Sequence, residues 1–174
     1  MKVNKRILLI ASISILLVIC ITVILNGVNN MRPEKALSNF VEQIEKGSIG
    51  DITLTIYQRP TVFTPLAVNF SVKELINYSQ TKKVVIDGTR LAEHLDLLKT
   101  IGNVDLKPVK TNSRINAQIH YVFENKGHKV FEVTLDGYDE ENDIEFLLVN
   151  GFKIKINDIF YSIIEPFMPY PYTR

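Results

Sequence analysis

The pattern of polar and apolar residues divides the chain into two unequal parts. Residues 7–25 form a run of 19 positions without a charge, a Gly or a Pro. At 1.5 Å per residue, a helix of that length spans about 28 Å, close to the hydrocarbon thickness of a bilayer. Beyond residue 32 the apolar residues recur with the short periods typical of amphipathic helices and half-buried strands. The pattern therefore predicts a transmembrane helix followed by one folded domain.

The predicted organisation has five segments. Residues 1–6 form a basic cytoplasmic segment, residues 7–25 a signal-anchor helix, and residues 26–32 a short linker. An extracytoplasmic domain covers 33–166, and an extended tail rich in Pro and Tyr covers 167–174. The part beyond the linker has roughly 140 residues, a normal size for one domain with its own core.

Two alternatives to an uncleaved anchor stay open. The apolar core of a cleaved signal peptide usually has about 7 to 15 residues and ends at a small-x-small site. Here the longer run is followed by Asn26-Gly27-Val28, which is a poor cleavage signal. A lipoprotein would carry its modified cysteine at Cys20, where Ile19 occupies the place of a small residue. Both comparisons favour an anchor that remains attached.

Flanking charges predict the orientation of this helix. Lys2, Lys5 and Arg6 precede the apolar run, and Arg32 is the basic residue that closely follows it. Because Lys and Arg beside a transmembrane segment are retained on the cytoplasmic side, the N-terminus is predicted to be cytoplasmic and the domain extracytoplasmic. The chain would then be a single-pass protein of the cell membrane.

The first half of the domain is predicted to alternate helices with strands. Pro33 suits a first helical turn, and Ser71 with Glu74 forms a capping box at another helix start. Alternation of polar and apolar residues predicts the strands. The predicted elements are helices at 33–46, 71–78 and 89–101, the last capped by Thr89, strands at 51–57 and 83–86, and an irregular segment at 59–69.

The second half predicts an antiparallel meander of four strands. One hairpin joins 114–124 to 128–136, and a second joins 144–149 to 152–156 around Asn150-Gly151, a dipeptide suited to a type I′ turn. A short helix at 158–165, halted by Pro166, ends the domain. The predicted fold class is therefore α+β, with an antiparallel sheet of five or six strands packed against two or three helices.

The first hairpin carries the most conspicuous candidate site. With a three-residue turn centred on Lys126, Glu124 lies opposite His128, and His120 lies opposite Glu132. All four share one face, because the other face is apolar. The two pairs are about 13 Å apart at 3.3 Å per residue, too far for one metal ion. We interpret this face as solvated and crossed by charge pairs, with a weak two-ligand metal site as the alternative.

Two other groups of polar residues are not predicted to form a functional site. His94 and Asp96 differ by about 200° in direction on one helix, so they form no dyad, and His94 is predicted to pack at the edge of the apolar face. The acidic run 139–143 resembles a calcium loop, but Ile144 and Asn150 stand where the loop requires Gly and Glu. A solvated turn is predicted there.

Composition narrows the chemistry further. The chain has three His, and its single Cys lies within the apolar run. It contains no phosphate-binding loop, no His-Glu-x-x-His motif and no nucleophile elbow. Three of its 20 basic residues precede the predicted helix, which leaves 17 basic against 19 acidic residues outside. This near-neutral domain lacks the excess of basic charge that nucleic-acid binding requires. No catalytic residue, cofactor or metal is predicted.

Two apolar features indicate candidate partner contacts. In strand 144–149, the residues Phe146 and Leu148 face away from the side shared with the next strand, so a helix of the same domain or a partner must cover them. The tail residues Phe167, Tyr170 and Tyr172 can dock on their own domain, stay in solvent or bind another molecule.

The functional prediction rests on these features together. We expect an anchored extracytoplasmic module that binds a protein or a component of the cell envelope without catalysing a reaction. The abundance of Ile, Asn and Lys and the cysteine-free outer domain favour a bacterial source. Two alternatives stay open: a hydrolase of envelope material that uses Asp and Glu carboxylates, and an accessory or immunity-type subunit of a membrane complex. The motifs indicate no known family.

Overall fold

A computed structural model describes residues 13–18, 32–60 and 70–171. Short 3-10 turns connect several elements, at Ser48–Asp51, Thr100–Asn103 and Glu165–Phe167. The helices and strands are α1 (Pro33–Glu45), β1 (Ile52–Gln58), α2 (Val72–Asn77), β2 (Lys82–Ile86), α3 (Gly88–Ala92), α4 (Leu95–Lys99), β3 (Ile115–Asn125), β4 (His128–Asp139), β5 (Ile144–Val149), β6 (Phe152–Lys155) and α5 (Ile159–Ser162). The predicted α+β class is confirmed.

The six strands form one antiparallel sheet in the order β2-β1-β3-β4-β5-β6. Strands β3 to β6 are neighbours in chain order, which is the predicted meander. The outer edge of β6 is covered by the segment around Pro108, because the amide of Val109 donates to the carbonyl of Lys153 at 2.9 Å. At the other edge of the described sheet, β2 exposes Lys82 and Lys83.

One face of the sheet carries the hydrophobic core. Helix α1 packs against β4 and buries Phe40, whose ring lies 4.6 Å from that of Phe123 and 5.0 Å from that of Phe131. Tyr121 is fully buried in the same layer, and its hydroxyl donates to the carbonyl of Phe160 at 3.0 Å. Burial of the phenol raises the pKa of Tyr121 well above its ordinary value. The opposite face, called the second face below, carries Thr55, His120, Thr134 and Phe146.

Local sequence signals explain two of these elements. Helix α1 begins at Pro33, and the chain leaves it through Gly47, whose φ of 79° places it in the left-handed region. Helix α2 begins with the predicted capping box, in which the Ser71 hydroxyl accepts from the amide of Glu74 and the Glu74 carboxylate accepts from the amide of Ser71.

The predicted single helix at 89–101 is wrong. The chain forms two short helices, α3 and α4, separated at His94, whose φ of −119° and ψ of 26° interrupt the helical backbone. The first helix is capped by Asp87 rather than Thr89, because the Asp87 carboxylate accepts from the amide of Arg90 at 3.1 Å. The His94 ring packs edge-on against Phe167, with 4.9 Å between the ring centroids. His94 is thus a packed residue, as predicted. The angular argument that separated it from Asp96 does not apply, because the two residues do not lie on one continuous helix.

The predicted register of the first hairpin is also wrong. Lys126 and Gly127 have φ values of 50° and 78° and form a two-residue turn, so Asn125 pairs with His128. An irregularity in the ladder between Phe123 and the end of β3 absorbs one additional residue of β4. These two departures shift the cross-strand partner of His120 from Glu132 to Thr134. The second hairpin agrees with its prediction, since Asn150 and Gly151 have φ values of 50° and 82°.

The C-terminal segment is more compact than predicted. Helix α5 ends at Ser162, three residues earlier than expected, and a 3-10 turn at Glu165–Phe167 follows it. Pro166 fits this turn because the N–H groups of a first helical turn have no intrahelical partner, so a residue without an N–H loses no hydrogen bond there. Phe167 therefore belongs to the folded domain rather than to an extended tail.

The predicted transmembrane helix lies mostly outside the described residues. Of positions 7–25, the structure describes 13–18, which are helical. Within 13–18, 32–60 and 70–171, no helix combines the length and the apolar character needed to cross a bilayer.

Candidate functional site

A continuous row of side chains crosses the second face of the sheet at His120. The strand register brings into this row, one residue from each strand, Lys83, Tyr57, His120, Thr134, Leu148 and Lys153. We call it the His120 row. In this row a titratable side chain, His120, is buried beside a polar residue of the neighbouring strand, Thr134.

His120 is buried within this row, with 3% of its surface exposed. Interpreting the face as solvated is therefore wrong at His120, although it holds at His128, which is exposed at the hairpin tip. The reason lies in the register: His120 lies between the Tyr57 ring on β1 and the Thr134 side chain on β4, both of which shield it. Thr134 is itself 2% exposed.

Three contacts define the surroundings of the imidazole. Its Nδ1 lies 2.9 Å from Oγ1 of Thr134, and its ring is stacked on Tyr57 with 6.2 Å between centroids. Its Nε2 lies 4.0 Å from a carboxylate oxygen of Glu132, which is engaged at 3.1 Å by the ammonium of Lys129. His120 and Glu132 are thus diagonal neighbours rather than a cross-strand pair.

Burial determines the charge of this histidine. The loss of hydration lowers the pKa of His120 below its ordinary value, and the positive charge of Lys129 acts in the same direction. The carboxylate of Glu132 opposes the shift without reversing it. His120 is therefore neutral at pH 7, with one ring nitrogen available as an acceptor.

The same geometry bears on the alternative of a metal site. His120 and Glu132 supply two ligands, whereas stable sites for transition metals use three or four. Across the described ranges, no group of three or more His, Cys, Asp or Glu side chains is placed to hold a metal ion.

The acidic turn between β4 and β5 is organised by Asp139. Its carboxylate accepts from the hydroxyl of Thr111, from the amide nitrogen of the Asn142 side chain at 2.9 Å, and from the backbone amide of Glu141 at 3.1 Å. The hydrogen bond from Thr111, followed by that from Asn142, holds the pKa of Asp139 well below its usual range. Asp139 is buried, so the predicted solvated turn is correct for Glu140 to Asp143 and wrong for this residue.

Beside this turn lies an open cleft of about 550 Å³. It is bordered by residues at the start of β3 and at the end of β4. The side chain of Tyr138, 47% exposed, stands at its rim, and its hydroxyl donates to Asp143 at 2.7 Å. The cleft is lined by Ser113, Arg114, Asn116, Asp136, Tyr138, Asp139, Glu140 and Glu141. Its lining thus combines hydrogen-bond donors and acceptors with one accessible aromatic ring.

The candidate contacts of strand β5 differ in accessibility. Phe146 is fully buried on the second face, and its ring lies 5.2 Å from the ammonium of Lys153. That ammonium also donates to the carbonyls of Thr111 and Ser113, at 2.6 and 2.7 Å. The side chain of Lys153 thus lies over the Phe146 ring. Leu148, in the His120 row, is half-buried.

The candidate contacts of the tail lie elsewhere. Phe167 is 5% exposed and belongs to the hydrophobic core. The buried side chain of Gln58 holds the backbone of Tyr170 by two hydrogen bonds of 3.1 Å. Its amide nitrogen donates to the carbonyl of Tyr170, and its amide oxygen accepts from the N–H of the same residue. Tyr172 lies outside the described residues. The four candidate residues that the structure describes therefore do not form one surface.

Comparisons with models of known protein families, with curated proteins and with solved structures found no match to this chain.

Proposed function

We propose that the chain is an extracytoplasmic binding module, held at the cell membrane by a transmembrane helix at residues 7–25. The observation that carries the anchor is the helical stretch 13–18, in which Ile15, Leu16 and Leu17 are 62%, 65% and 57% exposed. Adjacent apolar side chains with that exposure belong in an apolar solvent, and the surrounding sequence is long enough to span a bilayer.

The orientation in this proposal follows from the charges that flank the apolar run. Three basic residues precede it, at Lys2, Lys5 and Arg6, so the N-terminus is placed in the cytoplasm and the domain outside. Helix α1 begins at Pro33, eight residues beyond the predicted span. This short connection would hold the domain close to the membrane surface, where a protein or an envelope component is within reach.

The cleft beside Tyr138 favours binding over hydrolysis. A general acid or base needs a carboxylate whose pKa is near the working pH, whereas Asp139 is held ionised by three hydrogen bonds. Asp136 accepts from the hydroxyl of Tyr161 at 2.7 Å. Both carboxylates thus have structural roles, and Arg114, Asn116 and the Tyr138 ring supply contacts that suit recognition of a polar partner.

Thiol labelling tests the anchor and its orientation. In a chain with Cys20→Ala, we expect Ser79→Cys to react with a membrane-impermeant maleimide in intact cells, because Ser79 is exposed on the domain. Lys5→Cys, placed on the predicted cytoplasmic side, should react after membrane disruption alone. The opposite pattern would invert the proposed topology, and release of the labelled domain by a carbonate wash would argue against an anchor.

Site-specific crosslinking tests the binding surface. We expect a photoreactive phenylalanine analogue at Tyr138 in the membrane-bound chain to give a discrete crosslinked product, and Arg114→Ala to reduce its yield several-fold by removing a cationic contact. The same analogue at Val85, 55% exposed at the distant edge strand β2, is the matched control. Equal products from both positions would mean that the cleft does not bind the partner.

A further inference from the structure

We propose that His120 is a proton-sensitive latch of the sheet: the neutral ring keeps the His120 row closed, and a proton on the ring opens the β3–β4 pairing around it. The inference adds regulation to the proposed function and rests on it for the stimulus, since a domain outside the membrane meets the pH of its surroundings. The latch itself is a property of the folded domain.

The geometry leaves little room for a charged ring. His120 is 3% exposed, and its neighbours Thr134 and Thr55 are 2% and 8% exposed, so little of the imidazole is accessible to water. An imidazolium needs hydrogen-bond acceptors for both of its N–H groups. Thr134 can serve Nδ1, and the backbone of Val133 favours the charged ring, but the carboxylate of Glu132 lies 4.0 Å from Nε2, beyond hydrogen-bond distance. A second proton is therefore poorly accommodated unless the ring moves.

The charges on the surrounding strands oppose the effect of burial without cancelling it, because Glu132 raises the pKa of His120 more than Lys129 lowers it. Strand β1 contributes the neutral Tyr57, and β2 contributes Lys83, whose ammonium lies 5.6 Å from the Tyr57 ring. Strand β4 contributes Glu132 and Lys129, which form an ion pair of 3.1 Å. Strand β5 contributes the apolar Leu148, and β6 contributes Lys153, whose ammonium is bound to two carbonyls. No carboxylate free of a lysine faces the ring from these strands.

The direction of the pH effect follows from linkage. The pKa of His120 in the folded chain lies below the value of about 6.5 that the unfolded chain restores. Between those two values the unfolded state binds more protons, so opening is favoured as the pH falls below about 6.5. One proton changes the opening equilibrium by at most about tenfold per pH unit. The pKa of Asp139 is lowered below the usual range of an aspartate, so its protonation affects stability only at more acidic pH. A change in opening between about pH 5 and 6.5 can therefore be assigned to His120 rather than to Asp139.

The test uses the full chain purified in detergent micelles, with the three imidazoles followed by NMR and the backbone amides of β3 and β4 by hydrogen exchange. His120→Gln retains a hydrogen-bonding side chain of similar size without the titration. His128→Gln, at the exposed end of the same hairpin, is the matched control. Comparing variants at each pH cancels the intrinsic pH dependence of exchange.

We expect His120 to titrate below about pH 6.5, the ordinary value of an imidazole. Between pH 6.5 and 5, exchange in β3 and β4 should accelerate several-fold more in the parent and in His128→Gln than in His120→Gln. Glu132→Gln removes the opposing carboxylate, so it should move both the His120 titration and the acceleration of exchange in β3 and β4 to still lower pH. A titration that moves without the exchange profile would refute the latch. If His120 titrates at or above about pH 6.5, or if exchange in His120→Gln follows the parent at every pH, the latch is refuted. These results do not depend on topology, which the labelling at Ser79 tests separately.

Discussion

Replacing Phe146 by alanine is expected to lower the free energy of unfolding by about 3–5 kcal/mol. The ring is completely buried on the second face, and Gly137 makes room for it: a Cβ on Gly137 would lie 2.6 Å from Cε2 of the Phe146 ring. Removing the ring leaves a space that the surrounding strands cannot fill by small adjustments. It also removes the apolar group beneath the Lys153 ammonium.

The matched control for Phe146→Ala is Phe152→Ala in the adjacent strand. Phe152 is 45% exposed, so its truncation should change the free energy of unfolding by less than about 1 kcal/mol. Urea unfolding of the full chain in a nonionic detergent, followed by circular dichroism, measures both, since the chain has no Trp for fluorescence. Similar losses for the two variants would mean that the second face at Phe146 is not closed by the domain itself.

Replacing Gly88 by alanine is expected to destabilise the domain by about 3 kcal/mol, the upper end of what one inserted methyl group usually causes. Gly88 is the first residue of α3 and packs against the 3-10 turn at Ser48–Asp51. A Cβ there would lie 2.1 Å from the carbonyl oxygen of Ile49 and 2.6 Å from Cα of Gly50. Both contacts are with backbone, so neither can be relieved by rotating a side chain.

Gly50→Ala is the matched control on the other side of this contact. A Cβ on Gly50 would meet no atom within 4 Å. Alanine also reduces the conformational entropy of the unfolded chain, so the substitution should leave the free energy of unfolding unchanged or raise it slightly. The same urea titration distinguishes the two glycines. If Gly88→Ala is as stable as the parent, α3 can shift away from Ile49, and the close approach is not a constraint on the fold.

Elements whose signals are local were predictable from the sequence. The capping box at Ser71 and Glu74 and the turn at Asn150-Gly151 each depend on a few adjacent residues, and both form as expected. The alternation of apolar residues in β3 and β4 likewise predicted which side chains enter the core. These features gave the fold class and the four-stranded meander.

The register of the first hairpin was not predictable in the same way. Asn125-Lys126-Gly127 is compatible with a turn of two or three residues, and the pattern of faces is the same for both. The observed turn, together with the extra residue absorbed in β4, changes the partner of His120 without changing its face. Its burial then depends on Tyr57 and Thr134, which are distant in sequence and whose positions follow from that register.

The break at His94 has a related cause. Leu91, Leu95 and Leu98 keep a helical spacing across it, so the apolar pattern of α3 and α4 resembles that of one continuous helix. The edge-on packing of His94 against Phe167, more than seventy residues away along the chain, accompanies the break and carries no local signal. Tertiary packing has overridden the local preference here.

The two edges of the sheet differ in a way that bears on self-association. At β6, the segment around Pro108 already occupies the hydrogen-bonding groups that a seventh strand would need. At β2, any strand that docks must lie beside Lys82 and Lys83, and a second copy would bring two further lysines to the same place. Like charges so placed repel, and they do so most strongly in dilute salt. In the described sheet, β2 is therefore the edge at which a second copy could add a strand, and repulsion between the lysines opposes that addition.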